Sequence, residues 1–437
     1  MRTNRKIPQA KTHEGAPASR VSPLEQLRRA VMSCMLWEDQ FYESGLDIHT
    51  RICMLSTDCS NYDLLSVAID ARHGMNLRHV SLYLLSLVAL RKGGKQLEKA
   101  IYSVCQRPDD MAELVAMLWK DGKRPIPNAV KRGLARAFTK FDRYQIAKWN
   151  RDYAVKLRDV MFLVHPKPLN DEQAETFKML ADKTLTPPDT WESRLTAGGD
   201  KREVFTDLLK RNKLGYMALL RNLRGMLDAG VDENLIRRAL LNLPKNNKVL
   251  PFRFLAAAKH APRLENDIDN AMRQAMASHE RLPGNTTLLV DVSGSMDYSK
   301  ISAKSELTRA DAAAALAILL RGICENVRVF TFSNSIVEVA PRHGMALADA
   351  IKNSQSHRGT AMGAAVQWIN DNVDGDRLVV ISDEQTRDRV PKPTAKRAYM
   401  LNVASYQNGV NYGAWTHING FSEGVIRYLQ ELEKLDD

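Results

Sequence analysis

No apolar run in the 437 residues approaches the ~18–20 residues that a membrane-spanning helix requires, so an integral membrane protein is not expected. The first thirty residues lack the apolar core of about 7–15 residues behind a basic start that marks a secretory signal, and a cytoplasmic location is expected. Cysteine is sparse. Cys34, Cys53, Cys59, Cys105 and Cys324 form no C-x-x-C pair and are odd in number, which disfavours a disulfide framework or a zinc knuckle. With 17 prolines and 23 glycines the chain is too poor in both for a fibrous or low-complexity protein. It also lacks G-x-S-x-G, H-E-x-x-H and G-x-x-x-x-G-K-[ST], and no second acidic cluster accompanies Asp291 and Asp383, so catalysis is not expected.

Acidic residues are outnumbered, 51 to 63, but unevenly. Residues 284–437 hold 16 basic and 18 acidic side chains, leaving 47 against 33 before them. A polyanion-binding surface is therefore expected in the first two thirds.

Residues 1–21 show no sustained period and read as an extended arm. From Ser22, placed to cap a helix starting at Pro23, residues 22–283 are dominated by helical spacing. Leu64, Leu65, Ala68 and Ile69 run to His73-Gly74, and Leu77, Val80, Leu84 and Leu87 run to Gly93-Gly94, which predicts an antiparallel helix pair. Similar units are expected near 95–121, 128–148, 170–183, 200–228 and 232–243. Without a rigid repeat length, strict tetratricopeptide or ankyrin arrays are disfavoured; looser HEAT-like stacking into a solenoid or ring stays open. Beyond Pro283 the pattern changes. Strands are expected at 286–292, 327–332, 336–340, 377–382 and 398–404, and helices at 309–323, 361–372 and 424–432. Such alternation over 284–437 implies a mostly parallel sheet covered on both faces.

The first of these strands runs into Asp291-Val292-Ser293-Gly294-Ser295-Met296. In a doubly wound sheet, ligands bind beyond the carboxyl ends of the strands, so one carboxylate and two hydroxyls reach that rim. Thr360 precedes another helix and Asp383 follows another strand, which brings a third hydroxyl and a second carboxylate to the same edge. Hard oxygens of this kind suit Mg²⁺ or another divalent cation with retained waters. Asp291 and Ser295 as simple helix caps are the alternative, and Thr360 and Asp383 at matching positions favour the metal.

These five residues resemble the metal-ion-dependent adhesion site of a von Willebrand factor A domain. Thr12-His13-Glu14-Gly15-Ala16-Pro17, Lys156-Leu157-Arg158-Asp159 leading to His165-Pro166-Lys167-Pro168, and Thr190-Trp191-Glu192 with Gly199-Asp200-Lys201-Arg202 resemble the Ro autoantigen, or TROVE-module, family, and its bacterial members in particular. That resemblance implies an α-helical HEAT-like repeat ring followed by an α/β Rossmann-like A domain. It also implies Y-type noncoding RNA on the outer basic surface, single-stranded ends of misfolded RNA in the ring cavity, a monomeric ring, and an adaptor role toward polynucleotide phosphorylase or another exoribonuclease. Arg358 stands where glycine is more usual before Gly359-Thr360, without removing the ligand.

Evidence for RNA in the residues themselves is separate. Residues 131–158 carry nine basic side chains against two acidic, including Arg132, Arg136, Lys140, Arg143, Lys148, Arg151, Lys156 and Arg158. On one continuous helix the first four of these fall within a stripe of about 80°, opposite Leu134, Phe138 and Phe141. Tyr144, Trp149 and Tyr153 are interleaved for stacking on unpaired bases. His165, Lys167, Lys201 and Arg202 are further candidates, and Arg221 and Arg224 are candidates for a ring's inner surface. An ordinary solvated helix face with packed aromatics has the same pattern. Two function classes stay open: an RNA-binding adaptor, and a metal-dependent protein-binding module with the helices as scaffold.

Overall fold

In a computed structural model, the described residues are 11–12, 15, 17, 22–32, 45–74, 77–244, 249, 251–277, 281–298, 300, 307–404, 410, 414–420, 429 and 433. They form a helical region followed by a mixed α/β sheet, the order that the sequence predicts. Packing groups them into two compact units, Cys53–Asp200 and Met1–Ile52 with Lys201–Asp437.

The first unit is all helix. Asn61–His73 and His79–Leu90 are the expected pair, and Ser60 and Asp63 close the capping box that starts it. The expected unit at 95–121 divides into Gly94–Val104 and Pro108–Leu118, with Pro108 at the first helical position. That at 128–148 divides into Asn128–Phe138 and Arg143–Trp149. Asp142 forces this second break, because its carboxylate accepts the Gln145 amide and begins a new helix. Leu157–Val164, Asp171–Asp182 and Trp191–Thr196 complete the unit.

Two devices hold these helices together. Gly133 lets Asn128–Phe138 cross Gly94–Val104 closely, since a Cβ there would lie 2.9 Å from the Ile101 Cβ and 3.0 Å from the Glu98 carbonyl. The other is a buried ion network. Asp110, with no exposed surface, accepts from Arg72 at 3.0 Å, from Arg78 at 2.5 Å and from the amides of Gln106 and Arg107 at 3.0 Å. Asp109 takes Arg78 at 2.9 Å and Arg107 at 2.5 Å.

In the second unit the strands are β1 Leu282–Asp291, β2 Cys324–Phe332, β3 Ile336–Glu338, β4 Arg377–Ser382, β5 Arg397–Asn402 and β6 Thr416–Asn419. Their order is β3-β2-β1-β4-β5-β6, parallel except for the β2/β3 pair. One face packs Leu289, Phe330, Phe332, Val380 and Met400 on Met362, Val366 and Ile369 of the helix Met362–Asn372. Each such buried side chain contributes roughly 1.5–3 kcal/mol relative to exposure. Arg309–Ile323 contacts β1, β2 and β4 and also the helices Pro251–His260, Glu265–Ala277 and Gly344–Lys352. Its six alanines let neighbours approach from all sides, and almost every residue in it is buried. Lys259 bonds Asp311 at 2.7 Å and the Met345 amide bonds Asp269 at 2.8 Å, so helices before Pro283 share a core with the sheet beyond it. Gly344–Lys352 and β6 are additional to the sequence expectation, and the helix expected over 424–432 lies outside the described residues except Leu429. No helix among the described residues is long and apolar enough to cross a membrane.

Truncating Asp110 to Ala leaves Arg72 without its carboxylate and Arg78 with Asp109 and Glu113 alone, and a loss of about 3–5 kcal/mol is expected. Urea unfolding of the variant checks it; a midpoint equal to wild type would show that the network contributes nothing.

Candidate metal crevice and nucleic-acid interface

β1 connects onward to β2 on one side, whereas β4 continues to β5 on the other. The connections therefore diverge at the β1/β4 pair, where a parallel sheet leaves a crevice beyond its strand ends. Asp291 ends β1 and Asp383 follows β4 directly.

Four of the five sequence-predicted ligands are linked by contacts. The Ser293 amide donates to Asp291 Oδ1 at 2.8 Å, and the Ser293 and Ser295 hydroxyls lie 3.3 Å apart. The Ser295 hydroxyl in turn bonds Asp383. Thr360 is buried on a loop joined to the same motif, where the Gly294 amide donates to the Arg358 carbonyl at 3.0 Å. All five side chains are buried.

Burial, followed by the neighbouring Asp383 carboxylate, pushes Asp291 up to about 7, despite hydrogen bonds from Ser293 and Ser382. Burial also raises Asp383, and Arg309, Ser295 and the Gln385 amide offset part of that rise. Arg309 Nη1 stands 3.8 Å from Asp383 Oδ2, beyond hydrogen-bond distance, and that oxygen has no hydrogen bond among the described residues. Two buried carboxylates thus face one buried guanidinium. The donor set fits a hard divalent cation: two carboxylates and the hydroxyls of Ser293, Ser295 and Thr360, with no His or Cys. Among the described residues, no three His, Cys, Asp or Glu side chains converge, so any cation held here needs the hydroxyls.

The predicted cationic stripe is not continuous. The helix ends at Phe138, which places Lys140 beyond its cap and Arg143 at the start of the next helix. Arg132 and Arg136 instead share Glu98, at 2.9 and 3.4 Å, where the Gly133 crossing delivers it. Lys140 bonds the Tyr102 carbonyl and lies 4.6 Å from that ring; burial lowers its pKa. Arg143 pairs with Glu175, and Arg158 donates to the Ala181 carbonyl at 2.7 Å.

The later residues are more open. Arg151 lies over Trp149 at 4.9 Å and Lys148 lies 5.8 Å from both Trp149 and Tyr144. Tyr144 and Tyr153 are each 51% exposed and Phe162 is 48% exposed. Lys156 pairs with Asp152 at 2.5 Å, both exposed. His165 takes a left-handed conformation, φ +47°, as the cap of Leu157–Val164, and it and Lys167 are exposed. In the other unit, Lys201 and Arg202 are exposed at the start of Lys201–Lys210.

Residues 180–357 match the TROVE domain family. Over that stretch the chain is similar to the TROVE domain family. The TROVE match spans Pro283, consistent with the core shared across that point. Telomerase protein component 1 of Rattus norvegicus is 23% identical over 356 residues, 61% of this chain and 13% of that protein. Its Mus musculus counterpart is 29% identical over 220 residues, 46% and 8% respectively. The chain thus spans only a small part of these curated relatives. The crystal structure of the Deinococcus radiodurans RO (RSR) protein superposes with a TM-score of 0.60 at 17% identity, covering 93% of this chain and 98% of that one. The Ro and TROVE resemblance read from the sequence motifs is borne out, together with the fold.

Several residues of the crevice carry no signal in the sequence. Arg309 reads as an ordinary first residue of an Ala-rich helix, and Ser382 as the end of a strand, yet its hydroxyl donates to Asp291 Oδ2 at 2.6 Å. Trp149, expected to stack on bases, already carries the Arg107 guanidinium 3.5 Å from its ring centre.

Asp291→Asn removes the repulsion between the two carboxylates while Asp383 keeps Arg309. In divalent-free buffer the variant is expected to be more stable than wild type, by about 0.5–2 kcal/mol. Chemical unfolding with a chelator present checks this, and a loss of stability would show that the pair is not under electrostatic stress.

Proposed function

We propose that this Ro- and TROVE-type RNA-binding protein is an adaptor that acts by binding rather than by catalysis. Its helical unit takes small noncoding RNA of the Y type and the single-stranded ends of misfolded RNA. Its A-type domain holds Mg²⁺ through Asp291, Ser293, Ser295, Thr360 and Asp383 and meets a protein partner there, an exoribonuclease such as polynucleotide phosphorylase in the adaptor role. Bound in that crevice, the cation would supply a Lewis-acidic position for an acidic oxygen of the partner.

The observation that carries the RNA reading is the alternation of aromatic and cationic side chains over 144–162: exposed Tyr144, Arg151, Tyr153, Lys156 and Phe162, with half-buried Lys148 among them. Unpaired bases present a π-face to each ring, and cations between the rings meet the phosphates. Arg132, Arg136 and Lys140 already have intramolecular partners, which shifts the weight of the surface toward the later residues. The Asp383 oxygen without a hydrogen bond and the raised Asp291 support the metal reading.

Tyr144→Ala and Tyr153→Ala are each expected to weaken single-stranded RNA binding by about 1–3 kcal/mol without changing its salt dependence. Lys148→Gln and Arg151→Gln should each reduce the slope of log affinity against log salt by about 0.7. Filter binding across a salt series separates the two classes, and unchanged affinity and slope in all four variants would place the RNA elsewhere.

For the crevice, Mg²⁺ at a hundredfold excess over its dissociation constant should stabilise the fold by about 2.7 kcal/mol, and Ser295→Ala should lose most of that response. RNA affinity should survive chelation. RNA binding that vanished with the metal would contradict the division of labour between the two regions.

A further inference from the structure

We infer that the amino-terminal segment is a working part of the metal crevice, with Arg29 and Thr12 acting as positioning residues for the loops that carry its ligands. The inference rests on the metal reading proposed above.

Glu384, directly after Asp383, has φ +60°, the left-handed region that a side chain with a Cβ disfavours. Three groups around its carboxylate hold it there. Arg29 Nη1 donates to Oε1 at 2.7 Å with both side chains fully buried, His417 Nδ1 lies 3.4 Å from the same oxygen, and the Val410 amide donates to Oε2 at 3.0 Å. The backbone of this fixed residue then reaches the first ligand strand. Its amide donates to the Ser382 hydroxyl at 2.9 Å, and that hydroxyl donates to Asp291 Oδ2 at 2.6 Å. Three hydrogen bonds therefore run from Arg29, in the helix Pro23–Met32, to Asp291.

A second route starts at Thr12. Its hydroxyl donates to the Thr386 carbonyl at 2.5 Å, and the Thr386 hydroxyl donates to the carbonyl of Thr360 at 3.1 Å. Two stretches of chain before the helical unit thus end on the Asp383 loop and reach a further ligand residue each, Asp291 through Glu384 and Ser382 and Thr360 through Thr386. Simple packing does not call for this arrangement. A buried ion pair is often replaceable by apolar side chains with no loss of stability, so its presence beside a left-handed residue points to placement of the loop rather than to cohesion.

Coupling of this kind is reciprocal. If the latch favours the metal-competent loop, the metal must favour the latched segment by the same factor. The full chain is tested as Thr12→Val and as the paired change Arg29→Gln with Glu384→Gln, which leaves no buried charge alone. Calorimetric titration should show Mg²⁺ affinity about tenfold weaker in the paired variant, with a smaller loss in Thr12→Val. Hydrogen exchange over residues 23–32 should slow on adding Mg²⁺ to wild type by the same factor, and should not respond in Asp383→Asn.

Folded variants that bind Mg²⁺ as wild type does, with exchange over 23–32 indifferent to the metal, would overturn the coupling and leave the metal site standing. If the paired variant does not fold, Thr12→Val and the wild-type exchange measurement decide the matter by themselves. Wild-type protein that takes up no Mg²⁺ in the titration would overturn the metal reading and this inference together.

Discussion

Burying two carboxylates side by side is among the more expensive things a fold can do, and Asp291 and Asp383 are both fully buried at the ends of adjacent strands. The surroundings return only part of that cost: hydroxyls from Ser293, Ser295 and Ser382, amides from Ser293 and Gln385, and one guanidinium held 3.8 Å away. Much of the nearby architecture follows from this constraint. The Ala-rich helix must approach the sheet closely enough to bring Arg309 into its interior. The loop after β4 must turn sharply enough to send Glu384 toward Arg29, away from the pair, so that a third buried carboxylate is neutralised locally. Burial opposes ionisation of Glu384, yet Arg29 and His417 bring it down to about 2. Neighbours one residue apart are therefore driven in opposite directions, Asp383 upward and Glu384 downward, by which cations the fold supplies.

The helical unit solves its charge problem differently. Three of its acidic groups are heavily shared: Asp109 and Asp110 gather Arg72, Arg78 and Arg107, and Glu98 gathers Arg132 and Arg136. The basic excess is thus divided between cations that hold helices together and cations available to a ligand. Arg107 illustrates the division. It bonds Asp109 and covers Trp149, so that ring is already occupied while Tyr144 and Tyr153 keep half of their surface exposed.

The expected strands and helices of the carboxyl-terminal region were legible to within about four residues, and to the residue in Arg309–Ile323 and Arg377–Ser382, because buried strands and a helix packed on all sides leave long apolar runs in the sequence. The candidate ligands were legible too, since hydroxyl and carboxylate residues immediately after strands have few other uses. The continuous helix drawn through 132–143 was misleading. Its apolar period survives the break at Thr139–Asp142, and only the capping geometry of Asp142 interrupts it. Gly344–Lys352 and β6 are short, and short elements carry little period of their own.

By itself the sequence determined the order of helical and α/β regions, the uneven charge, and the oxygen-rich side chains at the strand ends, because each of these follows from local spacing and composition. Tertiary structure alone decided which charges meet. Arg29 and Glu384 are 355 positions apart, and Thr12 and Thr386 are 374 apart. Nothing in local spacing relates such residues. Whether a guanidinium ends as a counter-ion, a clamp on a tryptophan or an open cation depends on which acidic group the packing of distant helices brings within about 4 Å, a distance at which Coulomb attraction in a buried setting outweighs any intrinsic preference of the side chain.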